Sequence, residues 1–146
     1  MWGTPPNTKS ISHLPKSDNY FSPRPSPDGK YIAAITRNSD RLVLFDLKTQ
    51  RWSDLTTPPA GPVSYPSWSR DGEYLYFDTV FVDDPGCFRI RIRIADHKLE
   101  KVASLAEMQR YEANLGPWAG LAPDNSPLIT RDISNQEIYA LDWQAP

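Results

Sequence analysis

A four-residue turn recurs through this chain and limits what it can fold into. Ser26-Pro27-Asp28-Gly29 returns as Ser69-Arg70-Asp71-Gly72, and more faintly as Ala122-Pro123-Asp124-Asn125. The three aspartates are 43 and 53 residues apart. A period of roughly 40–45 residues is that of a four-stranded propeller blade. The turn chemistry explains the recurrence. Pro27 pre-sets φ for the second turn position, Asp28 tolerates the third, and Gly29 takes the positive φ that ends the turn. A type I turn closed by a left-handed residue joins adjacent antiparallel strands. In the third copy Asn125 stands where the glycine was, and Asn is the non-Gly residue best suited to that conformation.

An apolar run without polar alternation follows each turn: Tyr31–Ile35, Tyr74–Phe77 and Pro127–Ile129. Strands buried on both faces read this way. The fold class expected is all-β: a partial β-propeller of about three antiparallel blades with up to four strands each. Residues 8–14 are expected to be an outer strand of a preceding blade. Blade one would span 21–56, blade two 63–105, and blade three 116–143 without its fourth strand. Within this single incomplete domain, Asp46 and Asp96 read as equivalent positions after the third strand of their blades. Ala106–Leu115 has helical propensity over about two turns and reads as a short helix or an ordered loop.

Composition supports this. Fifteen prolines in 146 residues argue against long helices. The formal net charge of −2 gives no overall pull toward nucleic acid or an anionic membrane. Cys87 is the one cysteine, so no intrachain disulfide forms and the redox compartment stays open. No apolar run approaches the roughly 18 residues of a membrane helix, and MWGTPPNTKS lacks the apolar core of a signal peptide.

Asp28, Asp71 and Asp124 could ring a metal, but as turn formers they need no ligand. Asp83-Asp84, before Pro85-Gly86, lack the alternating oxygen ligands of a calcium loop and read as a solvated turn. Arg89, Arg91 and Arg93 share one face of a strand, and Phe88, Ile90, Ile92 and Ile94 share the other. The arginines are either a basic stripe for an anion, an acidic partner or phosphate, or an exposed outer face that discourages edge pairing. His13 and His97 lack metal spacing and sit by polar turns. Cys87 reads as a small buried hydrophobe. Most of the tryptophans and tyrosines read as blade packing, but Tyr65 and Trp118 precede inner strands and could face a channel mouth. No GxSxG, Gly-rich phosphate loop or HRD-type catalytic loop occurs, nor a basic recognition helix. No catalytic, cofactor-binding or metal residue is assigned, and no cofactor is expected.

SPRPSPDGKYIAAI, YPSWSRDGEYLYF and GLAPDNSPLIT resemble the Asp-Gly repeats of the TolB-like, WD-repeat-like propeller family over nearly all of Thr8 to Trp143. Residues 118–143 resemble more narrowly the C-terminal end of propellers in bacterial regulators that carry a winged-helix or Ser/Thr kinase domain. One departure is local: the family pattern has Trp where Pro25 stands, as Trp68 does in blade two. The resemblance implies a non-catalytic sensory or scaffold module that recognises a protein or small ligand, without direct nucleic-acid contact and often outside the cytoplasm. A substrate-gating propeller of a peptidase is the alternative. It also implies a larger ring, so the chain is expected to be a fragment or to complete a ring by self-association through its open blade faces.

Overall fold

The computed structural model describes residues 13–56, 61–80, 86–110, 118–135 and 137. Among them there is no helix, and ten strands form three antiparallel sheets. The first sheet, blade one, runs in chain order: β1 (Tyr20–Pro25), β2 (Tyr31–Thr36), β3 (Leu42–Asp46) and β4 (Arg51–Asp54). The second, blade two, repeats the order: β5 (Ser64–Trp68), β6 (Tyr74–Val80), β7 (Cys87–Arg93) and β8 (Leu99–Ser104). The third has two described strands, β9 (Ala119–Leu121) and β10 (Pro127–Ile129). This is an all-β, partial β-propeller.

The repeated turns form the same local network. Gly29 and Gly72 have φ of 69° and 75°, and Asn125 has φ of 65°. The N–H of each bonds to the carbonyl three residues back, on Ser26, Ser69 and Ala122, at 2.9–3.0 Å. In the first two turns the buried serine completes the motif. Ser26 Oγ donates to Asp28 Oδ1 at 2.6 Å and accepts from Tyr31 N at 2.9 Å. Ser69 Oγ does the same with Asp71 and Tyr74. The third turn has Ala122 at that place, and Asp124 Oδ1 instead takes the hydroxyl and N–H of Ser126.

Blades one and two pack face to face. Ala33, Ile35, Leu42 and Leu44 from blade one meet Leu75, Phe77, Ile90 and Ile92 from blade two in one cluster with Leu55, Val63 and Phe88. Most of these side chains are sealed from solvent, each contributing about 1.5–3 kcal/mol of burial. Because strand neighbours alternate in direction, the two blades contribute opposite faces of corresponding strands. Blade two's remaining face carries Tyr74, Tyr76, Asp78 and the arginines of β7, and points away from blade one.

The inner strands converge, β5 touching both β1 and β9. Trp68 Nε1 donates to Arg24 O at 2.8 Å, tying blade two to blade one. Asn125 Oδ1 accepts from Arg70 N at 2.9 Å, tying the third turn to the second. Pro25 and Leu121 occupy the corresponding rungs beside their own turns, opposite Ile32 and Pro127, and neither has a side-chain donor.

Of the two readings of 106–115, the ordered loop is the one found over 106–110, which form a turn and a bridge from Arg110 to Arg131; 111–115 lie outside the described residues. Two other local readings change. Asp46 pairs with Tyr31 while Arg93 pairs with Tyr74, so Arg93, not Asp96, takes the place of Asp46. Asp96 lies three residues later, in the turn that follows β7. His13 and Leu14 are described and are not in a strand. The rest of the expected strand at 8–14, Asp83-Asp84, and residues 116, 117, 136 and 138–143 of the expected blade three lie outside the described residues.

Candidate binding cleft on the inner strands

The inner strands do not alternate cleanly, because each of the first two carries a bulge. The register of β1 against β2 shifts between Phe21 and Arg24, and that of β5 against β6 between Ser64 and Ser67. Ser22 and Tyr65 hold the bulge with φ of 54° and 53°. A bulge twists its strand and re-aims a side chain. Counted back from the turns, Ser22, Tyr65 and Trp118 occupy one equivalent position in successive blades. A positive φ is uncommon for a residue as bulky as tyrosine.

Tyr65 and Trp118 line one open cleft of about 450 Å³, together with Arg24, Trp68, Gly120 and Leu121. Three of these residues are aromatic, and each comes from or adjoins an inner strand. Trp118 is 52% exposed. Its indole lies across Gly120, where a Cβ would stand 2.6 Å from the ring, so only glycine leaves the ring where it is. The Trp118 backbone is held by Thr130, whose Oγ1 donates to Trp118 O at 3.2 Å. A larger hollow, about 640 Å³, opens among Ser104, Met108 and Arg131. Among the described residues that line it none is aromatic, whereas the inner-strand cleft gathers three aromatic side chains of the kind recognition surfaces favour.

The β7 arginines divide. Arg91 pairs with Glu100 at 2.7 Å and lies over the Tyr74 ring, 4.5 Å from its centroid. Arg93 is shared between Asp96 at 3.4 Å and Glu100 at 3.6 Å. Both are partly exposed. Arg89 is fully buried, which corrects the expectation of a single exposed stripe. β7 is flanked by β6 and β8, so it is not an outer strand. Arg89 Nη1 donates to Asp78 Oδ1 at 2.8 Å and to Tyr65 O, the carbonyl of the bulge, at 3.1 Å. Arg110 Nη2 sits 3.0 Å from Asp78 Oδ2, and its guanidinium lies 5.9 Å from the centre of the Tyr65 ring. The buried cluster thus touches the back of the cleft.

Cys87 is half-buried at the start of β7. Burial first, and Asp78 second, push its thiol above the usual range, opposed by Arg110, so it is not an activated nucleophile. His13 and His97 are exposed; His97 sits in the turn after β7 with φ of 58°. Hydrogen bonding from Lys30 and then Ser26 lowers Asp28 to about 2. Ser69 lowers Asp71 and Ser126 lowers Asp124. All three carboxylates are engaged within their own turns. Among the described residues, no group of three or more His, Cys, Asp or Glu side chains could hold a metal.

Arg24, Asp78 and Arg110 escaped sequence reasoning. Asp78 left a signal, a carboxylate inside an apolar run, which demands a buried partner. Arg24 and Arg110 left none, since their roles depend on contacts between blades.

No family model matches the chain, and no curated protein does. Solved structures do. TolB from Acinetobacter baumannii superposes with a TM-score of 0.54 at 20% identity, covering 75% of this chain and 28% of TolB. A putative 6-phosphogluconolactonase from Bacteroides uniformis gives 0.48 at 21%, covering 75% and 32%. The chain therefore spans about a third or less of the proteins it matches, and what it shares with the first is the fold, a TolB-like β-propeller.

Proposed function

We propose that this chain is a non-catalytic propeller segment that binds a protein partner through an extended peptide lying in the inner-strand cleft. The observation that carries this is the convergence of Tyr65, Trp68 and Trp118 on one open surface. Tyrosine and tryptophan give large contact area at low conformational cost, and they dominate recognition hot spots. On the resemblance of residues 118–143, the segment serves as the sensory or scaffold end of a bacterial multidomain regulator.

The test is selection of displayed peptides against the wild-type chain, followed by titration against Trp118→Ala and Tyr65→Ala. The reading expects enriched peptides that perturb β1, β5 and β9 resonances and lose about tenfold or more of their affinity to either variant. Peptides that bind equally well to both variants would overturn it.

A further inference from the structure

Among the described residues, the Asp78–Arg89–Arg110 cluster is one negative charge short. Two guanidinium groups share a single carboxylate, Asp78, whose two oxygens face one arginine each. Arg89 spends Nη1 on Asp78 and Tyr65 O, leaving Nε and Nη2 buried without an acceptor. Arg110 Nε is also buried and unpartnered, and its Nη2, although close to Asp78, is out of line for a hydrogen bond. A buried guanidinium with idle donors is costly. Among the described residues, no second carboxylate lies within ion-pair distance of either arginine.

We propose that Arg110, backed by Arg89, forms a carboxylate site behind Tyr65, at one end of the inner-strand cleft. The class of ligand follows from charge and shape. A single uncompensated positive charge calls for a monoanion. The planar fork of a guanidinium matches a carboxylate in two parallel hydrogen bonds. Arg110 is the side that a ligand reaches, because its side chain keeps 12% exposure while Arg89 has none. Arg89 acts as fixed positive charge and holds the Tyr65 bulge through its carbonyl. Tyr65 joins the two features: its ring lines the cleft, and Arg110 lies beside that ring. On the peptide reading above, the carboxylate belongs to the bound segment, as an acidic side chain or its C-terminus.

Acetate tests the site without any peptide, so the two readings fail separately. The probe is acetate against acetamide and chloride at matched ionic strength, followed by nitrogen–proton correlations of the arginine Nε–H groups and of the Tyr65 and Cys87 amides. The expected result is a saturable acetate shift at Arg110 and Arg89 that acetamide and chloride do not produce. Arg110→Gln should weaken it about tenfold or more, and Arg91→Gln, on the same strand face, should leave it unchanged. If Arg110→Gln fails to fold, the wild-type shifts decide the matter, since only a site at these groups moves both Nε–H signals. An equal response to chloride, or an acetate response retained by Arg110→Gln, would overturn the proposal. A cleft peptide that binds equally as free acid and amide, and with and without its acidic side chain, would detach the site from the peptide.

Discussion

Asp78 and Arg89 face each other across β6 and β7 at the rung where blade one has Ile35 and Leu42. One blade fills the position with an ion pair and the other with two aliphatic side chains, and all four residues are buried. Breaking a buried pair strands a charge, whereas replacing both partners with apolar groups removes their own desolvation cost and leaves only the partly exposed Arg110 without its carboxylate. Asp78→Asn is therefore expected to destabilise the fold by about 3–5 kcal/mol. Asp78→Ile with Arg89→Leu, which copies blade one, should be more stable than that single variant by about 2 kcal/mol. Urea unfolding of the three proteins checks the ordering. A double variant weaker than Asp78→Asn would show that Arg89 is needed for the Tyr65 carbonyl more than for Asp78.

The junction between blades one and two hangs partly on Trp68. Its indole N–H reaches Arg24 O at 2.8 Å, and the ring packs beside the shared core. Trp68→Phe keeps most of the apolar area and deletes the donor. The expected loss is about 0.5–1.5 kcal/mol, with faster amide exchange at the inner edge of blade one. If exchange there stays at the wild-type rate, the bond does not couple the blades.

The elements that could be read from the chain are those whose cause is local. The Ser-x-Asp-Gly turns state their own geometry, because Gly29 and Gly72 need a left-handed φ and the preceding serine caps the turn. The continuous apolar runs of β2 and β6 disclose strands buried on both faces, and from these the all-β blade architecture follows; the third run, β10, departs from that expectation, with Leu128 exposed. Alternation groups the β7 arginines together because it tells which residues share a face, not what that face meets. Arg89 is buried against Asp78 and the Tyr65 carbonyl, while Arg91 and Arg93 reach solvent. The bulge at Tyr65 was hidden for a related reason. Nothing in Ser-Tyr-Pro-Ser announces a positive φ at a tyrosine, and the bulge carbonyl takes its shorter hydrogen bond from Arg89, a side chain on another strand.

Acid should loosen the repeated turns. Asp28 is held near 2, below its ordinary 3.8, by Lys30 and then Ser26. A depressed folded value means the ionised carboxylate favours the native turn. That stability is present above about pH 4 and drains away as the pH falls toward 2. Asp71 and Asp124 shift in the same direction, through Ser69 and Ser126 first. The thermal midpoint is expected to fall through this window, and Ser26→Ala should make the fall shallower by removing one of the bonds that lower Asp28. A midpoint flat from pH 4 to 2 would contradict the role given to these carboxylates.

Gly120 offers a way to move Trp118 without deleting it. A methyl at that position would come within 2.6 Å of the indole, a contact the pair cannot keep. The ring is half exposed, so it can swing outward at small cost while the strand pairing of Gly120 with Leu128 stays in place. Gly120 is itself buried, with the ring lying over it, so Gly120→Ala should cost about 1 kcal/mol, the low end of overpacking substitutions, because the exposed ring can move out of the way. It should nevertheless shift the Trp118 indole N–H resonance and lower the affinity of any peptide held between Tyr65 and Trp118. Trp118→Ala removes the ring outright and gives the limit of that loss. An alanine variant with wild-type affinity but a displaced indole would mean that the peptide rests on Tyr65 and Trp68 alone. One with both unchanged would mean that the ring never lay across Gly120 in solution.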